Sequence, residues 1–191
     1  MEKIFYIDAT MREGSRTRRI ASALIEELGK RYEIETVRLD GADFPAVNGR
    51  ILQDRDNGIV PEEYAGMARR LADADRIVIA APFWDMSFPA ALKVFFENMS
   101  LFHITFDSND HECYGLCRCE KVLYITTRGM DIHTGDALEQ ATPYLKALGK
   151  LWGLGSLEVV SAENMDYSSQ EEIEKKISAA IDRGLAICRD F

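Results

Sequence analysis

Residues 76–106, RIVIAAPFWDMSFPAALKVFFENMSLFHITF, constrain this chain more than any other stretch. Ile77-Val78-Ile79-Ala80-Ala81 is an unbroken apolar run of strand length. A strand without polar alternation is one covered on both faces, as in a parallel sheet flanked by helices. Pro82 ends it, because proline has no N–H to give to a ladder. Phe83, Trp84, Asp85 and Met86 then read as a loop, and Ser87 as the N-cap of a helix entered through Phe88 and Pro89. Leu92, Phe95, Phe96 and Met99 recur along that helix at helical spacing. Ligands of open parallel sheets sit in the loops at the carboxyl ends of strands, so an aromatic loop there predicts a flat, apolar ligand.

Four more strands read from the same signals: KIFYID at 3–8, EIETVRL at 33–39, KVLYITT at 121–127 and SLEVVSA at 156–162. A helix with core positions Ile20, Ala23, Leu24 and Leu28 follows the first strand, with Gly29 near its end. Pro61 opens another, over Tyr64, Met67, Ala68 and Leu71. Gly135 and Asp136 lead into a fourth helix through Leu138, Tyr144, Leu145 and Leu148. Ser168 or Ser169 caps a last one over Ile173, Ile177, Ile181 and Leu185. Residues 40–60 and 103–120 read as long irregular loops. Five strands alternating with five helices specify one parallel sheet with right-handed crossovers, doubly wound in the order 2-1-3-4-5, as a single domain over 1–191.

The loops after the first, third and fourth strands then share one edge. The first carries Thr10, Ser15 and Thr17, with Gly14 permitting a tight turn before a helix start and Arg16 adding positive charge. Free N–H groups at that helix start and the hydroxyls suit a phosphate monoester, although Ser15 or Thr17 could equally serve only as a cap. Neither the P-loop nor the dinucleotide fingerprint is present. In the second loop, Phe83 and Trp84 suit either stacking on a heterocycle or packing in a core or interface. In the third, Gly129 allows close backbone approach while Thr127 and Arg128 supply donors. His133, just beyond, is a candidate proton donor or an ordinary surface residue.

A net charge of −9 over 191 residues argues against nucleic acid, and no apolar segment is long enough for a membrane span. The N-terminus has no signal-peptide pattern, which places the chain in the cytoplasm. Cys113, Cys117 and Cys119 form C-x3-C-x-C, which is not a zinc or iron–sulfur spacing. They read as free thiols, with a metal or redox role as the rival and no metal site assigned.

With these loops in place, the sequence resembles the FMN-dependent NAD(P)H:quinone oxidoreductases of the bacterial azoreductase type, nearly end to end. Ala81-Pro82-Phe83-Trp84-Asp85-Met86, followed by Leu92-Lys93, is similar to that family's A-P-M-Y-N-F and leucine-lysine pair. Ile125-Thr126-Thr127-Arg128-Gly129-Met130 is similar to I-T-S-R-G-G, and Ser15-Arg16-Thr17 to its S-x-S phosphate loop. Thr142-Pro143-Tyr144-Leu145 and Gly155 also match. The departures are Asp85 for the usual Asn, and Met130 for a Gly.

The resemblance implies a flavodoxin-like fold, bound FMN, NADH or NADPH as co-substrate, and a homodimer. It implies that a hydride reaches the flavin and that a quinone, azo or nitro aromatic acceptor then takes the reducing equivalents in the same place. Thr10, Ser15, Arg16 and Thr17 would hold the phosphate, residues 82–86 one edge of the ring system, and residues 127–130 the pyrimidine side. His133 would donate a proton or touch substrate, and the aromatic helix 92–102 would supply interface contacts. The rival reading is a non-enzymatic flavodoxin-like electron carrier or flavin-dependent regulatory protein.

Overall fold

The computed structural model describes residues 1–191. Five parallel strands form the central sheet: β1 (Lys3–Asp8), β2 (Glu33–Arg38), β3 (Arg76–Ala80), β6 (Lys121–Thr127) and β7 (Ser156–Ala162). A two-stranded antiparallel hairpin, β4 (Phe106–Ser108) and β5 (Cys113–Gly115), lies outside it. The sheet order is β2-β1-β3-β6-β7, which is the expected 2-1-3-4-5 once the hairpin is set aside. Strand β3 sits at the centre and all five of its residues are buried, as its unbroken apolar run requires.

Six helices connect the strands: α1 (Arg16–Leu28), α2 (Gly49–Asp56), α3 (Glu62–Ala72), α4 (Ala90–Met99), α5 (Ala141–Trp152) and α6 (Gln170–Asp190). Alternate residues of β1 enter two separate cores. Phe5 and Ile7, with Ala9 just beyond the strand, join side chains of α3, α4 and α5, whereas Ile4 and Tyr6 join those of α1 and α6. No helix is long and apolar enough to cross a membrane.

Several expectations are corrected. Residues 40–60 contain α2, capped by the Asn48 side chain; the helix buries no residue, so it carries no apolar stripe to betray it. Residues 103–120 contain the hairpin, whose three-residue strands are too short to show alternation. Ser87 does not cap α4: it closes a tight turn with Trp84, and the helix starts at Ala90 after Pro89. Helix α5 begins at Ala141, leaving Leu138 exposed in the loop before it. The apolar face of α4, expected at an interface, is spent on the core, where Leu92, Phe95, Phe96 and Met99 are almost fully buried. Of the large side chains in 92–102, only Phe102 is exposed.

Candidate functional site

Register fixes the site. Asp8 of β1 pairs with Ala80 of β3, and Ala80 with Ile125 of β6, so three strands end at one level. The pairing runs slightly further: Ala9 donates its N–H to Ala80 O at 2.8 Å, Ala81 to Ile125 O at 3.0 Å and Phe83 to Thr127 O at 3.1 Å. The loops that follow enclose a cleft of about 400 Å³.

Gly14, at φ +71°, takes a left-handed turn that a side chain resists, and this turn aims the chain into α1. The Ser15 hydroxyl accepts the Arg18 N–H at 3.2 Å, so Ser15 caps the helix. The next two N–H groups, on Arg16 and Thr17, have no partner in the chain and lie at the positive end of the helix dipole. The Thr17 hydroxyl instead meets that of Thr127 at 2.7 Å. Thr10 is not available to a ligand. It is fully buried, its N–H and hydroxyl donate to Asp8 Oδ1 at 3.0 and 2.5 Å, and Arg18 donates to its hydroxyl and carbonyl at 2.7 Å. Thr10 therefore stiffens the base of the loop.

Trp84 and Ser87 exchange backbone hydrogen bonds of 3.1 and 2.8 Å, closing a two-residue turn. Its central residues, Asp85 and Met86, have φ of 48° and 64°. Such a turn ordinarily takes Asn-Gly, so holding Asp-Met there costs on the order of 1 kcal/mol per residue. The Met86 carbonyl accepts the Gln140 N–H at 2.9 Å, while the N–H groups of Asp85 and Met86 have no partner. Phe83 is half-buried above the Arg128 guanidinium, 5.6 Å from ring to Cζ, and Trp84 is exposed with Arg12 5.8 Å over its ring. Pro82 and Phe83 line the cleft with Trp84.

Thr127, Arg128 and Gly129 close the cleft from the third strand. The chain after β7 straps over them: Asn164, Met165 and Asp166 donate their N–H groups to the carbonyls of Met130, Arg128 and Gly129. A side chain at Gly129 would meet the Asp166 carboxylate, and that exposed side chain would have to swing aside. The Arg128 side chain is completely buried, and its Nε has no partner in the chain. Its guanidinium donates to Ile132 O at 3.1 Å and Thr134 Oγ1 at 2.8 Å and lies 3.5 Å from Glu163. Met130 is exposed at the rim.

The cleft brings together Ser15 and Arg16, Pro82, Phe83 and Trp84, and Thr127, Arg128 and Gly129, with Thr17 bonded to Thr127; Asp85, Met86 and Met130 do not line it, and His133 lies outside it. His133 is exposed, paired with Asp131 at 3.2 Å, and lines a separate depression beside Glu163 and Lys176. The site residues read from sequence omit Arg12, which stands in the first loop, and Met165 and Asp166. The last two come from beyond β7, where only the register of a parallel sheet could have pointed. Arg16 reaches this strap at 3.3 Å from both Met165 O and Asp166 Oδ1. The cysteines form no cluster able to hold a metal. Burial pushes the Cys117 and Cys119 thiols up to about 12, so both are poor nucleophiles at neutral pH.

Residues 2–185 match the family described as flavodoxin-like fold. The chain belongs to the flavodoxin-like family. Within it, an FMN-dependent NADH:quinone oxidoreductase of Clostridium beijerinckii is 31% identical over 201 residues, with both chains fully covered. A protein of the same name from Clostridium perfringens strain ATCC 13124 is 29% identical over 200 residues, again with full coverage. An FMN-dependent NADH-azoreductase of Bacillus anthracis, solved in complex with FMN, superposes with a TM-score of 0.81 at 19% identity, covering 98% of this chain and all of the other. At that identity the likeness shows the shared flavodoxin-like fold.

Proposed function

We propose that this chain is an FMN-dependent NADH:quinone oxidoreductase. The observation that carries the reading is a cleft lined by Ser15 and Arg16 and by the Phe83 and Trp84 rings, with two pairs of unpaired N–H groups on the loops that form it, Arg16 with Thr17 and Asp85 with Met86. The first set, at a helix start, fits the phosphate of FMN. The second fits the acceptor-rich edge of its ring system, and the aromatics supply an apolar wall. When bound, FMN supplies the two-electron chemistry, taking a hydride from reduced nicotinamide and passing the reducing equivalents to a quinone, azo or nitro aromatic acceptor.

The chain's own residues bind and orient. Ser15 holds the start of α1, the Thr17–Thr127 pair fixes that start against β6, and Gly129 keeps the backbone close to the cleft. Arg128 acts from below, packing under Phe83. Because one cleft serves both the nicotinamide and the acceptor, they occupy it in turn, and ping-pong kinetics follow. NADH is the donor named for the relatives and the one proposed here, with NADPH the comparison.

The same reading takes 1–191 as one doubly wound domain, supported by the two cores on opposite sides of β1. It also takes the working unit as a homodimer, supported by the exposure of Trp84 and Met130 at the cleft mouth. All four cysteines are free, in keeping with a reducing cytoplasm. An electron carrier would use the same cleft but react slowly with free nicotinamide, and the naming of the full-length relatives favours the enzyme.

The test is an absorption spectrum after incubation with FMN and removal of the excess, followed by anaerobic addition of NADH. A retained flavin band that bleaches with NADH and returns with a quinone is the expected result. A protein that retains no FMN overturns the reading of the cleft. A retained band that neither nicotinamide bleaches leaves the carrier.

A further inference from the structure

A second cavity, of about 290 Å³, lies beneath α5 and shares no lining residue with the strand-end cleft. Its floor is the sheet itself: Ile7 of β1, Ile77 and Ile79 of β3, and Val122 of β6 are nearly fully buried. Phe96 and Trp152 close the inner wall, and Trp152 is fixed by an indole hydrogen bond of 3.2 Å to Ser100 Oγ. The gap exists because α5 is held at its ends. Gln140, just before it, donates to Met86 O at 2.9 Å, and its last residue, Trp152, accepts the Cys117 N–H at 3.0 Å. The backbone of Gly115 in the hairpin packs against Trp152 and Gly153 so closely that no side chain fits between. Suspended this way, the helix leaves the sheet partly uncovered next to edge strand β7, where Leu157 is only half-buried.

Apolar surface left open to water is costly, so a cavity of this lining favours an apolar occupant. Its mouth carries charge of one kind. Lys146 and Lys150, one turn apart on α5, both line the pocket and are exposed. Neither takes part in an ion pair of the chain, whereas Lys30, Lys93 and Lys175 all do. In a chain of net charge −9, two free ammonium groups over an apolar cavity are complementary to an amphiphile with an anionic head. Between them, Gly149 lines the pocket, and a Cβ there would meet only Leu154 at 3.7 Å, so the absent side chain leaves the entrance open.

We infer that this cavity is a binding site for a medium-chain aliphatic carboxylate, its tail against the sheet beneath α5 and its head between Lys146 and Lys150. At about 30 Å³ per methylene-sized group, the volume takes roughly ten such groups. The site is separate from the strand-end cleft, and the inference stands whether or not that cleft holds FMN.

The test is a titration of the full-length protein with decanoate below its micellar concentration. It is read by Trp152 fluorescence in a Trp84→Phe background, which leaves a single indole in the chain. A saturable change is expected with decanoate and a weaker one with 1-decanol. Lys146→Gln/Lys150→Gln should weaken decanoate at least threefold while leaving decanol unchanged. Leu157→Glu should act in the same direction by placing a like charge at the rim. Gly149→Leu should abolish the response to both, with its circular dichroism spectrum retained. Equal binding of decanoate and decanol overturns the anionic head, and no saturable response to either overturns the site. Dimerisation that Gly149→Leu abolishes, with no effect of decanoate, would assign the cavity to a second copy of the chain and equally overturn the inference.

Discussion

The hydroxyls of Thr17 and Thr127 lie 2.7 Å apart, joining the first turn of α1 to the last residue of β6. They hold the unpaired N–H groups of the helix start against the third loop of the cleft. Thr17→Val keeps the shape and removes the hydrogen bond, which costs about 1 kcal/mol and lowers Tm by roughly 2–4 °C in a chain of this size. Because the pair positions the proposed phosphate site, FMN retention should fall along with Tm. Thr17→Ser should restore both, as read by thermal melts and flavin fluorescence titration.

Asp85 places a carboxylate at a turn whose neighbouring N–H groups are unpaired. Negative charge there opposes added electron density on a bound flavin. Asp85→Asn should raise the flavin midpoint potential by on the order of 20 mV, the two-electron equivalent of about 1 kcal/mol. It should not destabilise the turn, because Asn tolerates positive φ at least as well as Asp. Dye-equilibrated anaerobic titration reads the potential, and an unchanged or lowered value refutes the electrostatic role.

His133 and Arg128 make opposite predictions from neighbouring positions. His133 is exposed and outside the cleft, so His133→Ala should leave flavin retention and steady-state turnover within twofold of the parent. Arg128 is buried, and removing its charge orphans Glu163 and the carbonyl of Ile132. Breaking a buried pair from one side costs about 3–5 kcal/mol, so Arg128→Gln should lower Tm by roughly 10 °C. Lysine should not rescue it, because a point charge cannot reach two acceptors in a fork.

The sheet is legible in the sequence because its signal is local. Ile77–Ala81 carries its burial on its face, and the parallel order follows from the alternation of strands and helices. Ser15 is legible as a cap for the same reason. Ser87 is not, since the same residue type serves a cap or a tight turn, and the Met86–Gln140 contact decides which. Helix α2 leaves no trace because it buries nothing. The strap from Asn164 to Asp166 reaches the cleft only through the pairing of β6 with β7, a contact no motif encodes.

The thiols of Cys117, Cys119 and Cys188 and the phenols of Tyr6 and Tyr124, all raised by burial, give the pH dependence. Burial raises Cys117 and Cys119 from 9 to about 12 and Tyr124 from 10 to about 12. The folded chain thus holds these protons more tightly than the unfolded chain, which begins to release them near pH 9. Their contribution to stability is intact below pH 9 and is lost progressively as pH climbs to about 12, each group giving up about 1.4 kcal/mol per pH unit once its unfolded form has ionised. Urea midpoints should therefore stay level on this account up to pH 9 and fall steeply above it. Cys119→Ala should make that fall shallower, even if it lowers the plateau by leaving a small cavity. At pH 8 the same burial should let a disulfide reagent titrate Cys113, the one exposed thiol, promptly. Cys119 and Cys188, which are buried, should react only on unfolding, and their prompt reaction would show that the packing around them opens in solution.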